Sequence, residues 1–185
     1  GVEAASTDLL CFVDSDDMLR EDGLEKLMLL RDTHHADIAI MGNQIFESTP
    51  PDRLDPPFTL REYDGRGAVE EQLYQQHWDA APWARLIPKA IFLASPFPEG
   101  RIFEDLAASW RWLAAATRVV YSAEPVYLYR LRPASTMTAA FDARRLDLLW
   151  AANLLLTEVT AYDATLRPAA ICRTFSAYCQ TLLMM

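Results

Sequence analysis

Leu9-Leu10-Cys11-Phe12-Val13 runs directly into Asp14-Ser15-Asp16-Asp17, and this junction decides the fold class. Five apolar residues in a row mark a strand buried on both faces. Carboxylates at the exit of such a strand need a chemical reason. Downstream, Leu24, Leu27, Met28 and Leu30 recur at helical spacing between Glu21 and His35, with Arg20-Glu21-Asp22 at the start, which predicts an amphipathic helix. Asp37-Ile38-Ala39-Ile40-Met41-Gly42 reads as a second buried strand. Strand, helix and strand make an α/β sheet, and the right-handed crossover rule makes the two strands parallel, as neighbours or near neighbours.

Ser48 to Gly67 holds Pro50, Pro51, Pro56 and Pro57 among charges and predicts a surface loop. A helix is expected from Ala68 to His77, a Trp-bearing segment from Asp79 to Ile87, a short helix from Lys89 to Leu93, and a longer one from Leu106 to Ala116. Arg118 to Ser122 and Val126 to Arg130 read as two strands, and the chain from Phe141 onward as two helices that split before Pro168. This divides the chain into an α/β part, residues 1–140, and a helical segment, residues 141–185.

The 185 residues are 51% hydrophobic and 11% aromatic, a composition that forms a core. A formal net charge of -9 argues against a surface that tracks nucleic-acid phosphates. The six glycines form no cluster, so neither a dinucleotide-binding glycine loop nor a Walker loop is present. Cys11, Cys172 and Cys179 give no disulfide framework; the seven-residue spacing of the last two predicts one buried helical face. No run has the length of a membrane-spanning helix, so a soluble or peripheral protein is expected.

Three chemistries suit Asp14-x-Asp16. An EF-hand loop fails, because Met18 and Leu19 fall where an oxygen ligand and a glycine are needed. A dehalogenase-type phosphotransferase has the strand and paired Asp, but Met18 and Asp17 replace its usual residues and Lys26 and Lys89 are the only lysines. The third is a clasp in which carboxylates on a tight turn hold Mg²⁺ or Mn²⁺ against a diphosphate without a glycine cradle.

Cys11-Phe12-Val13-Asp14-Ser15-Asp16-Asp17-Met18-Leu19 resembles the Asp-x-Asp strand and turn of family 2, inverting, sugar-nucleotide-dependent glycosyltransferases of the GT-A fold. Three further segments resemble that family in the same order: Ala81-Pro82-Trp83-Ala84-Arg85-Leu86, Phe97-Pro98-Glu99-Gly100 with Glu104-Asp105, and Tyr127-Leu128-Tyr129-Arg130-x-Arg132 with Ser135. The resemblance covers residues 1–138 and implies a partial GT-A mixed sheet with flanking helices, truncated before the Asp-x-Asp strand and at the C-terminus. It implies a nucleoside-diphosphate sugar donor and an acceptor that is a polysaccharide, a lipid-linked sugar or a teichoic-acid-type polymer of the cell envelope. A cytoplasmic setting with peripheral contact at the inner face of the membrane, and a homo-oligomer, are compatible with it.

Carried over residue by residue, Asp16 coordinates the metal and Asp14 faces the ribose or the metal shell. Asp105, beside Glu104, is the base that removes the acceptor proton. Trp83 lines the sugar subsite, and Arg130 and Arg132 approach the diphosphate. Each has a plainer reading: Asp17 and Asp22 as helix caps, Asp105 as a dipole-stabilised acid, Trp83 as core, and Arg130 and Arg132 as salt-bridge partners. His34-His35 reads as a helix-end preference, and Trp110 and Trp112 as core or interface residues. A non-enzymatic sugar- or protein-binding module is the alternative in which all the plain readings hold. The resemblance further places the base-gripping half of the nucleotide site upstream of Gly1, so the 185 residues alone are expected to bind nucleotide sugar weakly and not to turn over.

Overall fold

The computed structural model describes residues 1–53, 59–132 and 142–184; Pro56, Pro57, Ser135 and Phe141 lie outside them. The elements are β1 (Leu9–Leu10), β2 (Met18–Leu19), α1 (Gly23–Thr33), β3 (Ile38–Phe46), β4 (Leu60–Tyr63), α2 (Gly65–Tyr74), β5 (Arg85–Pro88), α3 (Lys89–Ala94), α4 (Glu104–Ala114), β6 (Val119–Arg130), α5 (Asp147–Tyr162) and α6 (Arg167–Met184). The strands form one mixed sheet in the order β1-β5-β3-β6-β2, with β4 also on β6.

The predicted strand over residues 9–13 is regular only at β1, which pairs antiparallel with β5 at one edge. Phe12 then makes an isolated parallel bridge to Trp83. Because β3 is also antiparallel to β5, β1 and β3 are parallel near neighbours with β5 between them, as the crossover argument required. The predicted loop over residues 48–67 contains β4, whose exposed Arg61 and Glu62 lie between half-buried Leu60 and Tyr63. Charges on an edge strand masked its period.

The two strands expected after Arg118 are one. β6 lies parallel to β3 throughout, but the register shifts on both sides of Gly42, opposite Ala123-Glu124-Pro125. A proline donates no ladder hydrogen bond, so the irregularity sits where Pro125 falls. Gly42 permits it, since a Cβ there would overlap the Ala123 carbonyl. Before the shift β6 pairs with β4, and beyond it with β2, so this one strand reaches the Asp-rich turn.

Successive β3 residues face opposite sides of the sheet. Ile38 and Ile40 join the larger apolar cluster with Trp112, Leu113, Leu148, Leu155 and Leu166; Ala39 and Met41 join Leu27 of α1, Leu86, Val126 and Tyr127 on the other side. The buried alanines 151, 152, 169, 170 and 177 let α5 and α6 approach closely enough for Thr174 Oγ1 to donate across to the Ala152 carbonyl at 3.1 Å. The expectation for the α6 cysteines is corrected: Cys172 is exposed and Cys179 half-buried, because the alanines and Thr174 take the inward positions. No helix among the described residues is long and apolar enough to cross a membrane.

Candidate active site

The turn after β1 is held from β6. Asp17 N–H closes it on the Asp14 carbonyl at 3.1 Å. The Asp14 N–H donates to the Tyr127 hydroxyl at 3.1 Å, and that hydroxyl donates to Asp17 Oδ2 at 2.8 Å. Asp17 Oδ1 accepts from Arg130 N–H at 2.8 Å. Both oxygens of Asp17 thus serve the turn, and neither caps a helix. Asp22 does occupy the N-cap position of α1, but its side chain caps nothing; Arg53 and Lys26 pair with it and hold its carboxyl below the ordinary range.

Asp14 and Asp16 are the other two acids of the turn. Partial desolvation raises the Asp14 carboxyl, and the charges of Asp17, Asp16 and Glu104 raise it further. Arg132 Nε lies 3.4 Å from Asp16 Oδ2, an ion pair of the kind its plainer reading names. Arg130 does not reach the turn with its side chain: the guanidinium sits over the Phe46 ring, 4.9 Å from the centroid, and its contribution to the turn is a backbone N–H.

The segment before the Asp-rich turn packs against α4 through aromatic rings. Phe12, two residues before Asp14, lies in an aromatic cluster with Phe92, Phe97 and Trp112 at centroid distances of 5.2, 6.1 and 6.5 Å. Trp112 belongs to α4, whose first turn carries Glu104 and Asp105. Phe103, immediately before them, has φ 61°, a left-handed conformation uncommon outside glycine and frequent at functional sites. A dipole-stabilised helix acid would be lowered. The Asp105 carboxyl is instead pushed up to about 6, chiefly by burial and secondarily by Glu104 and Asp79, against a 2.7 Å hydrogen bond from Leu106 N–H and the charge of Arg173.

Trp83 stacks on Tyr127 at 4.9 Å and 9° and lies 6.0 Å from Tyr129, so one indole face is covered by the residue that holds the turn. Ala84 follows with φ 54°. Trp83 also forms one wall of a cleft of about 370 Å³ between β3 and the loop leading into β5. Behind it, the fully buried Arg85 donates to Gln72 Oε1 at 3.2 Å and to the Asp79 carbonyl, and burial lowers its guanidinium to about 10. Trp110 and Trp112 are core residues, and His34 pairs with Glu62 at 2.7 Å. Tyr127 falls in the Tyr127–Arg132 segment that carries the resemblance, whereas no local pattern marks Asp79 or Arg173. An Arg preceding Leu86-Ile87 in a buried strand was the visible signal for the cluster around Arg85.

Among the described residues no three His, Cys, Asp or Glu side chains gather as a metal cage. The donor set nevertheless fits a hard cation of the Mg²⁺ type, which is held by one or two carboxylates with phosphate oxygens and water completing the shell. Burial first, and the neighbouring carboxylates after it, raise Asp14, and a bound cation would favour its charged form.

The mixed sheet with flanking helices is the α/β architecture that the sequence implied, and comparison with known proteins says which fold it matches. No protein-family model matches the chain. It is 29% identical over 164 residues to the glycosyltransferase GlyG of Streptococcus pneumoniae serotype 4, over 84% of this chain and 52% of that protein. Its fold matches S. aureus TarS 1-349 in complex with UDP-GlcNAc with a TM-score of 0.72 at 19% identity, covering 95% of this chain and 51% of that one. With the UDP complex of the same protein the TM-score is 0.65 at 18% identity. The chain spans about half the length of the relatives it matches.

Proposed function

We propose that these residues form the diphosphate and acceptor side of a site that transfers a sugar from a nucleoside-diphosphate sugar to an acceptor hydroxyl with inversion. The observation that carries this reading is the packing of Phe12, at the entry to the Asp-rich turn, on Trp112 of α4, which sets the turn beside the helix that opens on Glu104-Asp105. Binding of UDP-GlcNAc and of UDP by TarS supports the donor class.

Asp16 and Asp14 would hold Mg²⁺ or Mn²⁺, which supplies positive charge for the leaving diphosphate. Asp17 and Tyr127 keep the turn in shape, and Arg132 is placed to accompany the phosphates as its contact with Asp16 loosens. Trp83 offers its uncovered surface to the C–H face of a pyranose. Asp105 accepts the acceptor's hydroxyl proton while the oxygen bonds to the anomeric carbon. The bond from that carbon to the diphosphate oxygen breaks in the same displacement, and the nucleoside diphosphate leaves with the electron pair. A carboxyl raised to about 6 is a stronger base than an ordinary Asp and remains ionised near neutrality. Glu104 keeps the local field negative, which favours arrival of the proton.

Thermal unfolding of the 185-residue chain with Mn²⁺ and UDP or GDP tests the reading. A raised midpoint that Asp16→Asn abolishes is expected. Stabilisation by beryllofluoride in place of the nucleotide would establish aspartyl-phosphate chemistry instead, and no response to either would leave a plain binding module.

A further inference from the structure

We infer that the cleft between β3 and the loop entering β5 is a saccharide subsite that takes a neutral, polyhydroxylated segment of the acceptor. The inference rests on the glycosyltransferase reading and adds to it a place and a chemistry for the acceptor.

The cleft exists because β5 is shorter than β3. Their pairing covers Ala39 and Ile40, and β3 continues to Phe46 without β5 beside it. Asn43 lines the space opened along that edge, and the loop after α2 closes it from the far side. Gln75 ends α2 as its left-handed C-cap, φ 53°, and Gln75 and Gln76 both line the cleft.

His77 is held in place: Nδ1 lies 2.6 Å from Glu71 Oε1, Tyr63 donates to Glu71 Oε2 at 3.2 Å, and Tyr121 flanks the imidazole at 5.2 Å. Nε2 is therefore the ring atom left to a ligand. Trp78, 8% exposed, lines the wall with an indole N–H that no described residue accepts.

These groups select the ligand. Amide side chains, an oriented imidazole and indole surface match hydroxyls and C–H faces. The one guanidinium in the lining, Arg85, is buried and engaged with Gln72 and Asp79, and the Asp79 carboxylate repels anions. Phosphate therefore has no seat here. The position fits an acceptor, because Trp83 is a wall of the cleft and its other side lies on Tyr127, which holds the Asp14–Asp17 turn.

Titration of the ¹⁵N-labelled chain with neutral disaccharides (chitobiose, cellobiose, maltose), with inorganic phosphate and with uridine, each with and without Mn²⁺ and UDP, tests this. At least one disaccharide should move the Trp78 and Trp83 indole signals while phosphate does not. Gln76→Ala and Asn43→Ala, both at exposed positions, should each weaken that binding roughly fivefold, the loss of one neutral hydrogen bond. Asp16→Asn should leave it unchanged while abolishing the response to Mn²⁺ and UDP. If no disaccharide moves the indole signals, or uridine alone does so in a manner weakened by Gln76→Ala, the subsite is overturned. If disaccharides bind and Mn²⁺ with UDP does not, the subsite stands and the donor reading fails.

Discussion

Tyr127 and Asp17 are joined by a 2.8 Å hydrogen bond across the space between β6 and the turn after β1. The phenol is fully buried, and its hydroxyl also accepts the Asp14 N–H, so one oxygen ties both ends of the Asp-rich turn. Burial, with the nearby Asp17 and Asp14 charges, holds the phenol well above its ordinary range, which keeps it a donor. Tyr127→Phe removes both hydrogen bonds and leaves a part-buried amide and a carboxylate oxygen without them. It should cost about 1–3 kcal/mol in urea unfolding and weaken Mn²⁺ binding; an unchanged Mn²⁺ affinity would show that the turn holds its own shape.

Asp105 makes stability depend on pH in a defined direction. Its carboxyl is near 6 in the folded chain against about 3.9 unfolded, so the folded state binds the proton more tightly. The contribution of Asp105 to stability should be highest below about pH 4, fall as pH rises to about 6, and then level off. Discounted for residual solvent contact, the loss is about 1–2 kcal/mol. Asp105→Asn should erase this slope, so the variant gains on the parent between pH 4.5 and 7.5. Parallel stability curves for the two proteins would remove the raised carboxyl from the account.

The Arg132–Asp16 pair is half exposed on the arginine side, at 51%, and a pair of this kind contributes about 0–1 kcal/mol. Arg132→Gln should therefore leave the melting midpoint nearly unchanged. It should tighten Mn²⁺ alone, by freeing Asp16 of a competing cation, and weaken UDP in the presence of Mn²⁺. Calorimetric titrations moving in the same direction for metal and nucleotide would contradict the placement of Arg132 at the phosphates.

Gly42 sits at the register shift of β3 against β6, where a Cβ would overlap the Ala123 carbonyl. Gly42→Ala should cost about 1–3 kcal/mol and, by displacing the outer half of β6, should also reduce Mn²⁺ binding at the turn. A destabilised variant with parental metal affinity would separate the bulge from the site.

Much of the architecture was legible because it is written in short-range periodicity. The α1 pattern, the β3 run and the split before Pro168 all stand within a few residues of their predicted places. The errors have local causes. β4 hid behind Arg61 and Glu62, Pro125 made one strand resemble two, and α6 buries alanines where the spacing of Cys172 and Cys179 pointed inward. At the site, the acids could be named from their order along the chain, while Arg130 was assigned a side-chain role and supplies a backbone N–H to Asp17 instead.

The sequence by itself determined the α/β class, the carboxylates at the end of β1 and the acid pair opening α4, because strand and helix periods and turn chemistry are local properties. Only the tertiary structure decided that Asp17 belongs to Tyr127, that Asp16 pairs with Arg132, that the strand before the turn packs on α4, and that Asp105 is desolvated enough to rise. Those facts depend on β6 crossing the sheet past its bulge and on aromatic packing of Phe12 against α4. Electrostatic fields and desolvation arise from distances between groups remote in sequence, which no local pattern encodes.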